Sequence, residues 1–248
     1  FILVILTIFI AARGGSILSY FIFLLSVIGI REFYNAISNT KVKPIKIVGY
    51  ISCLGFLFNS LGYNWASLIF IIFSLVISLL VILIFKNGIN IWDIAITFFG
   101  VFYIPFLMQH IIYLDGTIYI WLIFITAWGT DTFAYLSGNL FGKTKLCPKL
   151  SPNKTVEGSV GGILGAVLLT LIFAKYFRLF PLYKFVLLSF LGSIVAQLGD
   201  LTASKIKRIT GIKDFGFIMP GHGGILDRFD SILFTAPFVY YFVNYFIL

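Results

Sequence analysis

Two acids three residues apart, Asp227 and Asp230, close the stretch KDFGFIMPGHGGILDRFDS over residues 213–231. On a helix, an i, i+3 pair shares one face. Both carboxylates would then project into one space, with Arg228 turned away from them. Close carboxylates repel, and a divalent cation relieves the repulsion most simply. Magnesium is the natural candidate, because it favours oxygen ligands and binds through a few carboxylates plus substrate phosphates. Zinc is poorly served: His110 and His222 are the two histidines, and neither has a cysteine beside it. Two further acids, Asp131 in TAWGTDTFAYLSG and Asp200 in SIVAQLGDLTASKIKR, interrupt apolar runs. An ionisable group there is costly and faces a bundle interior or a wet cavity. A structural hydrogen bond between helices is the alternative for each. Glu32, Asp93 and Asp115 fall at helix ends or in a loop, where a solvated or capping role is expected.

Around these acids lie groups suited to phosphate. PGHGG places Gly221, Gly223 and Gly224 where backbone N–H groups can approach a ligand closely, with Pro220 setting the turn into them. Just upstream, SKIKRITGIK supplies Lys205, Lys207, Arg208 and Lys213, cations matched to phosphate oxygens. A second loop, FGKTKLCPKLSPNKTVEGSVGG, again combines Lys with Ser, Thr and Gly before a helix. Its spacing is not that of a Walker A loop. Either basic loop alone could be a membrane flank. Together with acids at membrane depth they describe a phosphate and metal site at the cytoplasmic surface.

The elements that must position these groups are membrane helices. Residues are 60% hydrophobic and only 11% charged, and mean hydropathy is +1.06, whereas a soluble domain is about 45–50% apolar and about 25% charged. Apolar runs approach the roughly 20 residues a helix needs to cross a bilayer. Strand-like alternation is absent, so helices rather than a barrel must satisfy the buried backbone. Runs near 1–12, 16–37, 45–63, 66–85, 91–113, 117–138, 157–176, 183–206 and 229–248 predict an all-α polytopic protein of about nine transmembrane helices. They form one bundle with a polar cavity facing the cytoplasm. No long Pro/Ser or low-complexity linker divides the chain, so 1–248 is expected to be a single membrane domain, with N-terminal helices over 1–113 and catalytic helices over 117–248. The chain opens on Phe1, which suggests trimming, with a cleaved signal peptide as the alternative.

Nine spans would place Arg31, Lys41, Lys43, Lys46, Lys86, Lys143, Lys145, Lys149, Lys154, Lys205, Lys207, Arg208, Lys213 and Arg228 on one side, against Arg13, Lys175, Arg178 and Lys184 on the other. The positive-inside rule makes the crowded side cytoplasmic. Topology and anionic lipid account for most of the net charge of +9, so nucleic acid is not expected as a partner. Cys53 and Cys147 have neither metal spacing nor the pattern of a disulfide framework.

The residues from Ser204 to Asp230 resemble the signature of the phosphatidate cytidylyltransferases, or CDP-diacylglycerol synthases. That signature runs S-x-x-K-R-x4-K-D-[FY]-[GS]-x-x-[IL]-P-G-H-G-G-[ILV]-[LM]-D-R-[FL]-D. It is met by Ser204, Lys207, Arg208, Lys213, Asp214, Phe215, Gly216 and every specified position from Pro220 to Asp230. Met219 is the one departure, a volume-conserving change. The resemblance continues upstream through DTFAYLSGNLFGKTKL and SPNKTVEGSVGG, and covers about residues 126–235. Earlier residues match only in hydropathy and in the REFY that begins at Arg31.

The resemblance implies that CTP and phosphatidate give CDP-diacylglycerol and pyrophosphate, with magnesium as cofactor and a second cation left open. Asp200, Asp227 and Asp230 would hold metal, with Asp131 as a further ligand or the partner of a cation. Lys207 and Arg208 would bind phosphates. Ser151, Lys154 and Thr155 would hold CTP, helped by Lys213, Gly221, Gly223 and Gly224. His222 would donate to the leaving pyrophosphate or brace the loop. Besides its substrates, the protein would meet membrane lipids, in a cell membrane expected to be a bacterial inner membrane; a homodimer is left open. The competing classes are a CTP-dependent membrane enzyme with another acceptor, such as a CDP-archaeol synthase or polyprenol kinase, and an ion-coupled transporter. A transporter should show internal repetition, and the N-terminal half holds no convincing second copy of the acidic motif.

Overall fold

The computed structural model describes residues 2–216 and 223–248. Every apolar run of the sequence is helical within those limits: α1 (Ile2–Arg13), α2 (Gly15–Ile37), α3 (Lys46–Ser60), α4 (Leu68–Phe85), α5 (Ile91–Val101), α6 (Leu107–Tyr113), α7 (Ile120–Phe141), α8 (Val156–Tyr176), α9 (Leu182–Ile209) and α10 (Leu226–Phe242). Between α5 and α6, Phe102–Phe106 widens into a π-turn around Pro105, which lacks the N–H that an α-turn would use. Among the described residues, five helical stretches are long and apolar enough to cross a membrane: Gly15–Ile37, Leu68–Phe85, Ile91–Tyr113, Val156–Tyr176 and Leu182–Ile209. The remaining runs, over α1, α3, α7 and α10, fall short in length or apolar content. This is a helical membrane protein. Its lipid-facing character is plainest on α4, where Ile69 is 82% exposed and Phe85 80%; apolar side chains so exposed belong in hydrocarbon rather than water.

One element departs from the all-helical expectation. Within the basic loop after α7, β1 (Lys145–Cys147) and β2 (Ser151–Thr155) form a short antiparallel hairpin, with Lys145 opposite Thr155 and Cys147 opposite Ser151. The three-residue turn at 148–150 joins strands too short for alternation to reveal them in sequence.

The backbone divides into two compact units, Phe1–Gly116 with Ile209–Arg228, and Thr117–Arg208 with Phe229–Leu248. In the first, α2 buries Leu18, Ile22, Leu25, Gly29 and Phe33, the three- and four-residue spacing of one helix face. Tyr34, fully buried, donates its hydroxyl to the Thr97 carbonyl at 2.7 Å. Its ring takes the space where a side chain on Gly49 of α3 or Gly100 of α5 would lie. The acids expected at helix ends are caps. Asp115 Oδ2 accepts from Gly15 N at 2.6 Å, at the start of α2. Asp93 and Asn90 form a reciprocal capping box on α5. Asp93 Oδ1 also accepts from Lys43 N at 2.7 Å, tying down the loop before α3. Asp93 is only 1% exposed, so of the two expected roles capping is the one realised.

In the second unit, α7 and α8 pack along small residues. Side chains on Gly129, Gly158 or Gly162 would meet α8 or α7 backbone or side-chain atoms, and such close approach replaces the hydrophobic driving force that lipid removes. Thr155 Oγ1 caps α8 by accepting from Gly158 N at 3.1 Å.

Candidate active site

The second unit gathers polar side chains from four distant stretches. On α9, Gln197, Asp200, Ser204 and Lys207 recur at i, i+3, i+7 and i+10, which places them along one face of the helix. Asp200 Oδ2 pairs with Lys154 Nζ from β2. Ser204 Oγ lies 3.4 Å from Asp200 Oδ1. Ser159 of α8 donates its hydroxyl to Gln197 Oε1, and Gln197 Nε2 donates back to the Ser159 carbonyl at 3.3 Å. On α10, Asp230 Oδ1 accepts from Ser231 N at 2.8 Å, while Ser231 Oγ donates to Asp131 Oδ2 of α7 at 2.9 Å. Asp131, Asp200 and Asp230 lie close enough for their charges to act on one another, with Lys154 and Lys207 as the opposing cations. Arg208 Nε donates to the Leu150 carbonyl at 3.3 Å, tethering the hairpin to the end of α9.

Three carboxyl groups and two ammonium groups meet in this cluster. Its donors are hard oxygens, which suit magnesium. Among the described residues no three His, Cys, Asp or Glu side chains form a ready-made metal cage. Magnesium does not require one, since it is commonly held by one or two carboxylates together with substrate phosphates.

The first unit holds the other end of the signature. Asp227 Oδ2 accepts from Phe215 N at 2.8 Å and from Gly224 N at 2.9 Å. It thereby joins the two described ends of the glycine loop. Gly223 sits at φ 81, where an L side chain is strained, and a Cβ there would press on the Asp227 carboxylate. Lys213 is exposed in this unit. Gly221 and His222, with Met219 and Pro220, lie outside the described residues. In the second unit, Ser151 is half-buried at the hairpin end, and Thr155 Oγ1 caps α8. Sequence reasoning passed over Ser231, Gln197 and Ser159, whose polarity inside apolar runs was the available signal. It also left Glu32 at a helix end, although REFY was the one N-terminal match to the signature's family.

Residues 1–246 match the profile of the Cytidylyltransferase family, and the chain belongs to that family. It is similar to the phosphatidate cytidylyltransferase of Staphylococcus epidermidis, 38% identical over 234 residues, which cover 91% of this chain and 89% of that protein. The protein of the same name from Staphylococcus saprophyticus is likewise 38% identical, with the same coverage. The Staphylococcus aureus protein is 37% identical over 235 residues, again 91% of this chain and 89% of the relative.

Proposed function

We propose that this chain is a phosphatidate cytidylyltransferase, transferring the cytidylyl group of CTP to phosphatidate in phospholipid biosynthesis. A phosphate oxygen of phosphatidate attacks the α-phosphorus of CTP, forming the new P–O bond. The bond to the bridging α–β oxygen breaks, and pyrophosphate leaves with its electron pair. No covalent enzyme intermediate is needed, so catalysis is positioning and charge neutralisation. The observation that carries the proposal is the meeting of Asp131, Asp200 and Asp230 with Lys154 and Lys207, all within the stretch of about residues 126–235 that resembles the family.

Lys154 would exchange its partner Asp200 for the triphosphate, and Lys207 with Arg208 would take phosphate charge of the lipid or the nucleotide. Asp200 and Asp230 would hold magnesium, which when bound with CTP supplies neutralisation of the triphosphate. Asp131, fixed by Ser231, would orient that carboxylate group of ligands or balance a cation.

The test is purified protein with CTP labelled on its α-phosphate, with phosphatidate in mixed micelles and magnesium present. Lipid-dependent transfer of label to the lipid, with equimolar pyrophosphate, is expected. Release of CDP beside a phosphorylated lipid would identify a kinase, and no CTP consumption would favour the transporter class.

The basic asymmetry supports a polytopic arrangement with the site facing the cytoplasm, in a bacterial inner membrane, through about nine crossings that include the shorter helices. In a variant lacking Cys53 and Cys147, a cysteine replacing Lys145 should resist an impermeant thiol reagent on intact cells, and one replacing Lys175 should react. Labelling at position 145 from outside would reverse the orientation and separate the site from cytosolic CTP.

A further inference from the structure

Glu32 lies in the last third of α2, yet it is 5% exposed, and among the described residues no ion pair involves it. Its two oxygens are both taken by backbone: Oε1 accepts from Ile225 N at 3.0 Å, and Oε2 from Leu226 N at 2.9 Å. These are donors at the start of α10, where a helix leaves its first N–H groups without internal partners and favours an anion. The carboxylate also fills the space beside Gly216 and Gly224, where a Cβ on either would collide with it. Both glycines flank the loop that Asp227 closes.

The neighbours of Glu32 explain how a side chain 193 residues away in sequence is held for this task. Phe33 and Tyr34 are fully buried. Phe33 packs against Tyr103 and Phe99, and Tyr34 is anchored to Thr97. Of REFY, then, Phe33 and Tyr34 fix the helix and Glu32 reaches the loop.

We propose that Glu32 is a positioning residue for the cytidylyl transfer: it clamps the start of α10 and both described ends of the glycine loop. It acts together with Asp227: the Glu32 carboxylate accepts from Ile225 and Leu226 and lies against Gly216 and Gly224, while Asp227 accepts from Phe215 and Gly224. The inference rests on the proposed function for its kinetic consequence, but the clamp itself is a structural claim.

Its test uses the full chain in detergent, wild type beside Glu32→Gln. Glutamine keeps the shape but turns one acceptor into a group that only donates, so one of the two N–H groups loses its partner. Loss of one charge-assisted hydrogen bond should lower kcat at saturating CTP and phosphatidate about tenfold per folded molecule. Amide exchange at Ile225 and Leu226 should accelerate, while α8 keeps its wild-type rates. Gly224→Ala, which presses a methyl group on the same carboxylate, should give the same pair of effects, and it decides the matter if Glu32→Gln does not fold. Unchanged exchange at Ile225 and Leu226, or activity that falls only in proportion to the folded fraction, would overturn the clamp. Wild-type protein that consumes no CTP would instead overturn the proposed function, with the exchange comparison still testing Glu32.

Discussion

Asp230→Asn protein should lose at least about a hundredfold in turnover while keeping or gaining thermal stability. The two effects have opposite signs for a physical reason. Asp131, Asp200 and Asp230 sense one another's charge, and Lys154 and Lys207 are the two cations opposing them. Replacing one carboxylate by an amide of the same shape removes repulsion from a crowded group. The Ser231 N–H still finds an acceptor in the amide oxygen, so the start of α10 keeps its local bond. The oxygen charge that would face magnesium and triphosphate is lost. The measurement is initial rate across a magnesium titration, alongside a thermal melt of the same preparation. Near-normal turnover at every magnesium concentration, in protein that melts like wild type, would remove Asp230 from the reaction and leave the cluster a structural feature.

Lys154→Met should move stability the other way. Its ammonium is the partner of Asp200, and the two side chains are 26% and 27% exposed. With the lysine gone, Asp200 faces Asp131 and Asp230 without its nearest cation. Stability should fall by about 1–2 kcal/mol, the lower range for a charged partner because solvent still reaches the pair. Activity should fall about a hundredfold in kcat/KM for CTP, expressed chiefly in KM if Lys154 binds the triphosphate in ground and transition states alike. Adding Asp230→Asn to Lys154→Met should recover stability without recovering activity, a coupling that a double-mutant cycle reads directly. If the double variant is less stable than Lys154→Met alone, the three carboxylates do not form a mutually repelling group.

Asp227 separates what spacing reveals from what packing decides. Its i, i+3 relation to Asp230 suggested two carboxylates with one task, because helical period places both on one side of α10. Beyond that spacing, the structure shows Asp227 Oδ2 accepting from two backbone donors, Phe215 N and Gly224 N, and Asp230 near other acids and Lys207. Period is a property of the helix alone. The groups that meet a helical face come from chain segments whose return no local pattern records.

Sequence by itself determined that the chain is a helical membrane protein, because lipid demands apolar helices whose backbone is satisfied internally. It also marked Asp131 and Asp200, since a carboxylate in an apolar run is too costly to keep without use, it marked Asp227 and Asp230 by their i, i+3 spacing, and the long signature marked the family. Only the tertiary structure decided that Lys154 answers Asp200 from 46 residues away, that Thr155 caps α8, and that Glu32, expected at a helix end, reaches the far end of the chain. Hydropathy and periodicity are sums over neighbours along the chain. A hydrogen bond depends on two atoms arriving within about 3 Å of each other, and folding decides which two.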